Sequence, residues 1–179
     1  MPVDIIQNGN TILRKICIEV PTSDIQKPKI QKIIRDMDMA LDSQVDGVAI
    51  AAPQIGVSLR IFIISGRIFD EDFMRGSKVI SKKVHSNLVF INPIIKKISR
   101  DKKLMDEGCL SVRPIYGRVR RATRATVEAY NENGKKFTKS GSGLIAHIFQ
   151  HEIDHLEGIL FIDKAKDLRE ESILDEENN

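Results

Sequence analysis

No stretch of about 18 consecutive apolar residues occurs in the 179-residue chain, which excludes a membrane-spanning helix. Cysteine is nearly absent. Cys17 and Cys109 are the only two, too few for the framework of bridges that holds a small secreted domain together. The first ten residues lack a basic segment followed by an apolar one, so no secretory leader is expected. A reducing cytosol is the simplest home, and a thiol there is free to bind a metal or do chemistry. Excess charge is scarce too. Lys and Arg number 28 against 25 Asp and Glu, and the resulting +3 does not by itself argue for nucleic acid binding. What the chain has is a globular composition, 41% apolar and 30% charged, which argues against disorder. Its length suits about one domain with a single core.

The charge is unevenly spread. From Asp163 to the end there are seven acids and three bases. The chain therefore divides into a single domain over 1–163 and an acidic tail over 164–179. Two basic clusters lie upstream: Lys96, Lys97, Arg100, Lys102 and Lys103, then Arg113, Arg118, Arg120, Arg121 and Arg124. Both read first as solvated faces.

Ile30, Ile33, Ile34, Met37 and Leu41 recur at helical spacing, which predicts an amphipathic helix over 28–43 with Pro28 in its first turn. Leu59–Ser65 reads as a strand, and Leu88–Ile91 as a second one stopped by Asn92-Pro93. Between them 67–86 reads as a long polar loop. Ala125–Tyr130 and Lys136–Thr138 flank Asn131-Glu-Asn-Gly134, a hairpin signal. Helical spacing returns near Ser142, with Gly158 as a stop. Helix, several short strands, then helix predicts an α+β fold, with mixed or antiparallel strands around a helix in the C-terminal half.

That second helix contains Gln150-His151-Glu152-Ile153-Asp154-His155, an H-E-x-x-H pattern. Residues four apart share a helix face, so His151 and His155 can point at one metal, with Glu152 beside them to reach a metal-bound water. Two of the four histidines fill these slots. Catalytic sites of this kind usually have three protein ligands. A third histidine at the metzincin position is ruled out, since Phe161 stands there. Glu176 and Glu177 in the tail are one source, as in another zinc-peptidase pattern. Cys109 in Asp106-Glu-Gly-Cys-Leu-Ser-Val112 is another, although a free cysteine is more often a small buried hydrophobe. His147 lies about 12 Å of helical rise from His155, too far to join the same metal, and is expected at the edge of the core or partly exposed. His85 is expected to face solvent.

Three segments together resemble peptide deformylase: Gly47-Val-Ala-Ile-Ala-Ala-Pro-Gln54, Glu107-Gly-Cys-Leu-Ser111 and His151-Glu-Ile-Asp-His155, in that order. The likeness runs from about residue 5 to 163. It implies removal of the N-formyl group from the formylmethionine of newly made polypeptides, by a metal-bound water with Glu152 as general acid/base. It implies one divalent metal per chain, ferrous iron in the cell with zinc, nickel or cobalt able to replace it. Cys109, His151 and His155 would be the ligands. Gln54 and the backbone N–H of Leu110 would hold the oxyanion. Glu107 would support the site, paired with Arg121 or bonded to a ligand histidine. Gly47, Val48, Leu144 and Ile148 are candidates for the substrate wall and the methionine pocket.

Two departures stand out. Ala49 replaces the family's second glycine, and Arg113-Pro114 follows the cysteine segment where many members carry Pro-Gly. The first would crowd the substrate if positive φ is needed there and costs little in a β conformation. The second alters the rim of the cleft. The implied partners are N-formylmethionyl peptides and nascent chains. Contact with the ribosome would run through the Arg113–Arg124 cluster if its side chains share a face. The competing expectation is an ordinary strand pair with Arg121 engaged internally. Two other functions fit parts of the pattern, a metallopeptidase and a non-enzymatic ribosome-associated paralogue. A bacterial cytoplasmic location is expected, a mature organellar form being the alternative.

Overall fold

The computed structural model describes residues 3–70 and 85–170. Helix α1, Pro28–Asp42, buries Ile30, Ile34, Met37 and Leu41 of the predicted stripe together with Ala40, while Ile33 is half-buried. Pro28 sits in the first turn, where its missing N–H is not needed. Eight strands form among the described residues: β1 (Ala49–Ala51), β2 (Ile61–Ile64), β3 (Leu88–Ile98), β4 (Lys102–Gly108), β5 (Ile115–Ala122), β6 (Arg124–Tyr130), β7 (Lys136–Ser142) and β8 (Lys166–Glu170). Helix α2 is Leu144–Leu156. The fold is α+β, and every pairing between these strands is antiparallel.

The strands make a five-stranded sheet in the order β1-β2-β3-β6-β7 and a three-stranded sheet in the order β4-β5-β8. α1 covers Ile50, Ile61, Ile63 and Ile91. α2 packs against the other layer, where Phe62, Phe90 and Phe149 meet. The Phe62 and Phe90 rings stack at 4.5 Å, and Phe149 approaches Phe90 edge-on at 5.5 Å. α2 is thus anchored through Phe149 and Ala146, while its opposite face is free for polar chemistry. Gly158 ends the helix region with φ at +71°, and a Cβ there would lie 2.5 Å from the Arg14 carbonyl oxygen.

The structure departs from the sequence expectations in three places. β3 does not stop at Asn92-Pro93 but runs on to Ile98 across a register shift. Asn92 adopts positive φ, and its side chain takes up both backbone groups of Val20, accepting from N–H at 2.8 Å and donating to C=O at 2.7 Å. The hairpin is longer than predicted, because β7 continues to Ser142. Asn131 Oδ1 closes its turn by accepting from the N–H groups of Asn133 and Lys135. Residues set apart as tail supply β8, which pairs with β5 and brings Asp167 to Arg118. Most of the expected 67–86 loop lies outside the described residues, apart from a 3-10 turn at Gly66–Phe69.

Phe149 is fully buried where helix and sheet meet. Phe149→Ala is expected to destabilise the protein by about 3–5 kcal/mol, the usual cost of deleting a buried ring. Urea unfolding followed by circular dichroism would measure it.

Candidate active site

The polar face of α2 and the turn after β4 enclose a cavity of about 230 Å³. His151 and His155 stand one helical turn apart, with their Nε2 atoms 3.2 Å from each other. Cys109 Sγ lies 3.3 Å from His155 Nε2 and accepts from the Ser111 N–H at 3.4 Å. The three donor atoms all fall within 4.8 Å of one another. Gly108 lets this turn close up, since a Cβ there would lie 2.5 Å from the Tyr116 ring.

The donor set suits a metal. Two imidazole nitrogens and a thiol are the ligand types that zinc and ferrous iron accept, and three protein ligands leave a position for water or substrate. Glu152 lines the same cavity, and its buried Oε2 has no hydrogen-bond partner among the described residues. Burial pushes the Glu152 carboxyl up to about 7. Glu176 and Glu177, the alternative third ligands, lie outside the described residues.

Glu107 organises the surroundings. Arg121 grips it with two bonds, Nε to Oε2 at 3.0 Å and Nη2 to Oε1 at 2.7 Å. Its Oε1 also meets His151 Nδ1 at 2.5 Å, and its Oε2 meets His147 Nε2 at 2.6 Å. Burial opposes ionisation of Glu107, but the bonds from His147, His151 and Arg121 outweigh it and hold the carboxyl far below its ordinary range. An ionised carboxylate only accepts, so His151 donates from Nδ1, and Nε2 is the ring nitrogen that faces the cavity beside His155. Arg121 also reaches Asp154 at 2.6 Å, and Asp154 accepts from Lys164.

Gln54 is fully buried. Its Oε1 accepts from the Ala51 N–H at 2.8 Å, which turns the NH₂ toward Ser111 Oγ at 3.1 Å and Cys109 Sγ at 3.6 Å. Leu110, Gly47, Val48, Leu144 and Ile148 all line the cavity. Ala49 sits in β1 opposite Ile64, an extended position that a methyl group fits. β1 is one of the two edge strands of its sheet among the described residues.

Of the two expectations for His147, a place at the core edge fits and partial exposure does not: it is buried, and its bond to Glu107 was not foreseen. Its place four residues before His151 was the available signal, because that spacing puts it on the same face. Asp46 was missed as well. It pairs with Arg113 at 2.5 Å, and both line the cavity. The five arginines do not form one unpaired patch. Arg113, Arg118 and Arg121 are held by Asp46, Asp167 and Glu107, while Arg120 and Arg124 are exposed. His85 is exposed, as expected.

An H-E-x-x-H helix facing a thiol across a cleft is the arrangement of a hydrolytic metalloenzyme. The polypeptide deformylase family model matches residues 2–171. The chain is 43% identical over 165 residues to the peptide deformylase of Desulfitobacterium hafniense, covering 90% of this chain and 93% of that one. It is 37% identical over 163 residues to peptide deformylase 1A, chloroplastic/mitochondrial, of Arabidopsis thaliana, covering 90% of this chain and 60% of that protein. The crystal structure of a Legionella pneumophila peptide deformylase superimposes with a TM-score of 0.77 at 36% identity, covering 93% of this chain and 88% of that one. The chain belongs to the polypeptide deformylase family and is an enzyme. No helix among the described residues is long and apolar enough to cross a membrane.

The two thiols differ in a checkable way. Cys17 is buried, and burial raises its pKa to about 11, whereas Cys109 borders the cavity. In chelator-treated protein at neutral pH, iodoacetamide is expected to label Cys109 and leave Cys17 intact. Peptide mass spectrometry reads the sites directly.

Proposed function

We propose that this enzyme removes the N-formyl group from the N-terminal formylmethionine of newly made polypeptides. The convergence of Cys109 Sγ with the Nε2 atoms of His151 and His155, beside a carboxylate and an amide donor, carries the reading. One divalent cation held by these three atoms would supply a Lewis acid that lowers the pKa of water toward ~7. Ferrous iron is the proposed cellular ion, with zinc, nickel or cobalt as substitutes.

The chain's own groups do the rest. Glu152 accepts a proton from the attacking water and returns it to the departing amine. The NH₂ of Gln54, already fixed by Ala51, and the N–H of Leu110 donate to the oxygen that gains charge as the formyl carbon becomes tetrahedral. Because β1 is an edge strand bordering the cavity, an extended peptide can pair with its free side. Val48, Leu144 and Ile148 then cover the methionine side chain. We place the reaction where formylated chains are made, in the bacterial cytoplasm or an organelle.

Anaerobic assay on formyl-Met-Ala-Ser with added Fe²⁺ or Ni²⁺ tests the proposal, and absence of formate release would refute it. Glu152→Gln is expected to keep its metal, counted by elemental analysis, and to lose nearly all turnover, since an amide cannot take the proton. Gln54→Ala should lower kcat by ~10²-fold, the scale for one lost oxyanion donor. Cys109→Ala should lose the metal. Full retention would point to a metallopeptidase-type third ligand instead.

The Asp46–Arg113 pair at the cavity yields a further expectation. Arg113→Ala leaves Asp46 unneutralised, so kcat/KM should shift several-fold toward formyl-Met-Lys over formyl-Met-Glu peptides at low salt. Equal ratios in wild type and variant would remove the pair from substrate selection.

A further inference from the structure

Glu107 stands two residues before Cys109, and helix α2 holds it at two points. His147 Nε2 meets one carboxylate oxygen at 2.6 Å, and His151 Nδ1 meets the other at 2.5 Å. The two imidazoles come from successive turns of one helix face. His151 belongs to the proposed metal site, but no step of the proposed reaction uses His147. It is buried, it borders the cavity, and its bond crosses from α2 to β4.

We propose that His147 is a positioning residue: by holding Glu107 Oε2 it fixes how the β4 segment carrying Cys109 sits against the helix carrying His151 and His155. The inference rests on the metal site proposed above. A single contact between His151 and Glu107 would act as a pivot. Two contacts, one helical turn apart, set the distance and the rotation together. Arg121 adds bonds from β5, which belongs to the same sheet as Glu107, so it cannot register the helix in the same way, although its Asp154 contact ties it to α2 farther along.

The carboxylate's acceptor capacity supports the assignment. Two oxygens offer about four lone-pair positions. Arg121 takes one on each oxygen, His151 takes the second on Oε1, and His147 takes the second on Oε2. Removing His147 leaves one buried acceptor unfilled and frees Glu107 to rotate about its remaining partners. The proton on His151 Nδ1 then loses its fixed direction, and with it the aim of Nε2 toward Cys109 and His155.

Three full-length proteins test this: wild type, His147→Leu and His147→Gln. Each is stripped of metal, checked for folding by thermal unfolding, and titrated with Co²⁺ against a competing chelator while the thiolate and d–d absorption bands are recorded. Leu fills the space without bonding, whereas Gln carries an N–H at a reach close to that of Nε2. His147→Leu is expected to weaken Co²⁺ binding at least ~10-fold and to shift the d–d bands, as losses of ligand-orienting partners do. On formyl-Met-Ala-Ser its kcat should fall with KM changed less than about twofold, since the pocket walls remain. His147→Gln should recover most of the affinity and the wild-type bands. Unchanged affinity and bands in the Leu variant would overturn the proposal, as would a Gln variant as weak as the Leu one. Should His147→Leu not fold, His147→Asn replaces it. Gln binding Co²⁺ more tightly than Asn supports the proposal, and equal binding overturns it. A wild-type protein that binds Co²⁺ but releases no formate fails the deformylation reading alone, because the affinities still judge His147.

Discussion

A carboxylate cannot stay charged inside a protein unless something replaces the water it has lost. Glu107 meets that demand with Arg121, His147 and His151, and these partners come from β5 and α2 while Glu107 itself is on β4. The cluster therefore joins the three-stranded sheet to the helix that lies on the five-stranded one. It also decides what each group can be. Arg121 stays charged, Glu107 stays ionised, and His151 is compelled to donate from Nδ1. That Nε2 is the nitrogen turned to the cavity is a consequence of this buried pairing as much as of the H-E-x-x-H sequence.

The two faces of α2 divide the labour. Ala146 and Phe149 lock the helix into the aromatic layer of the larger sheet, while His147, His151 and Glu152 line the cavity beside Leu144 and Ile148. Rigid packing behind the site holds the imidazoles where a loop could not, because core side chains settle into few arrangements. The cleft lies between a free sheet edge, β1, and the end of β4. On the proposed function, an extended peptide would meet backbone hydrogen bonding on one side and the candidate metal atoms on the other.

Much of this was legible in the residues. The α1 stripe at Ile30, Ile34, Met37 and Leu41 predicted both the helix and its buried face. The spacing of His151 and His155 predicted that they face one point, because residues four apart share a helix face. Asn92-Pro93 misled, since it reads as a stop, yet Asn92 accepts positive φ and borrows the backbone groups of Val20 to carry β3 past the irregularity. The start of β8 was hidden as well. Lys166 to Glu170 is exposed throughout and apolar only at Leu168, so it carries no alternation to mark a strand, and it forms because β5 offers an open edge.

The sequence by itself determined the local elements, the donor types and their spacing along α2, because periodicity and side-chain chemistry act within a few residues. It could name Glu107 as a support for the site but not count its partners. Only the tertiary structure decided that His147 and Arg121 reach the same carboxylate, that Asp46 meets Arg113, and that Gln54 turns its amide nitrogen toward Cys109. Those contacts join residues far apart in the chain. They depend on the packing of two sheets and a helix, and on the cost of leaving a buried charge or donor without a partner, which no spacing along one segment expresses.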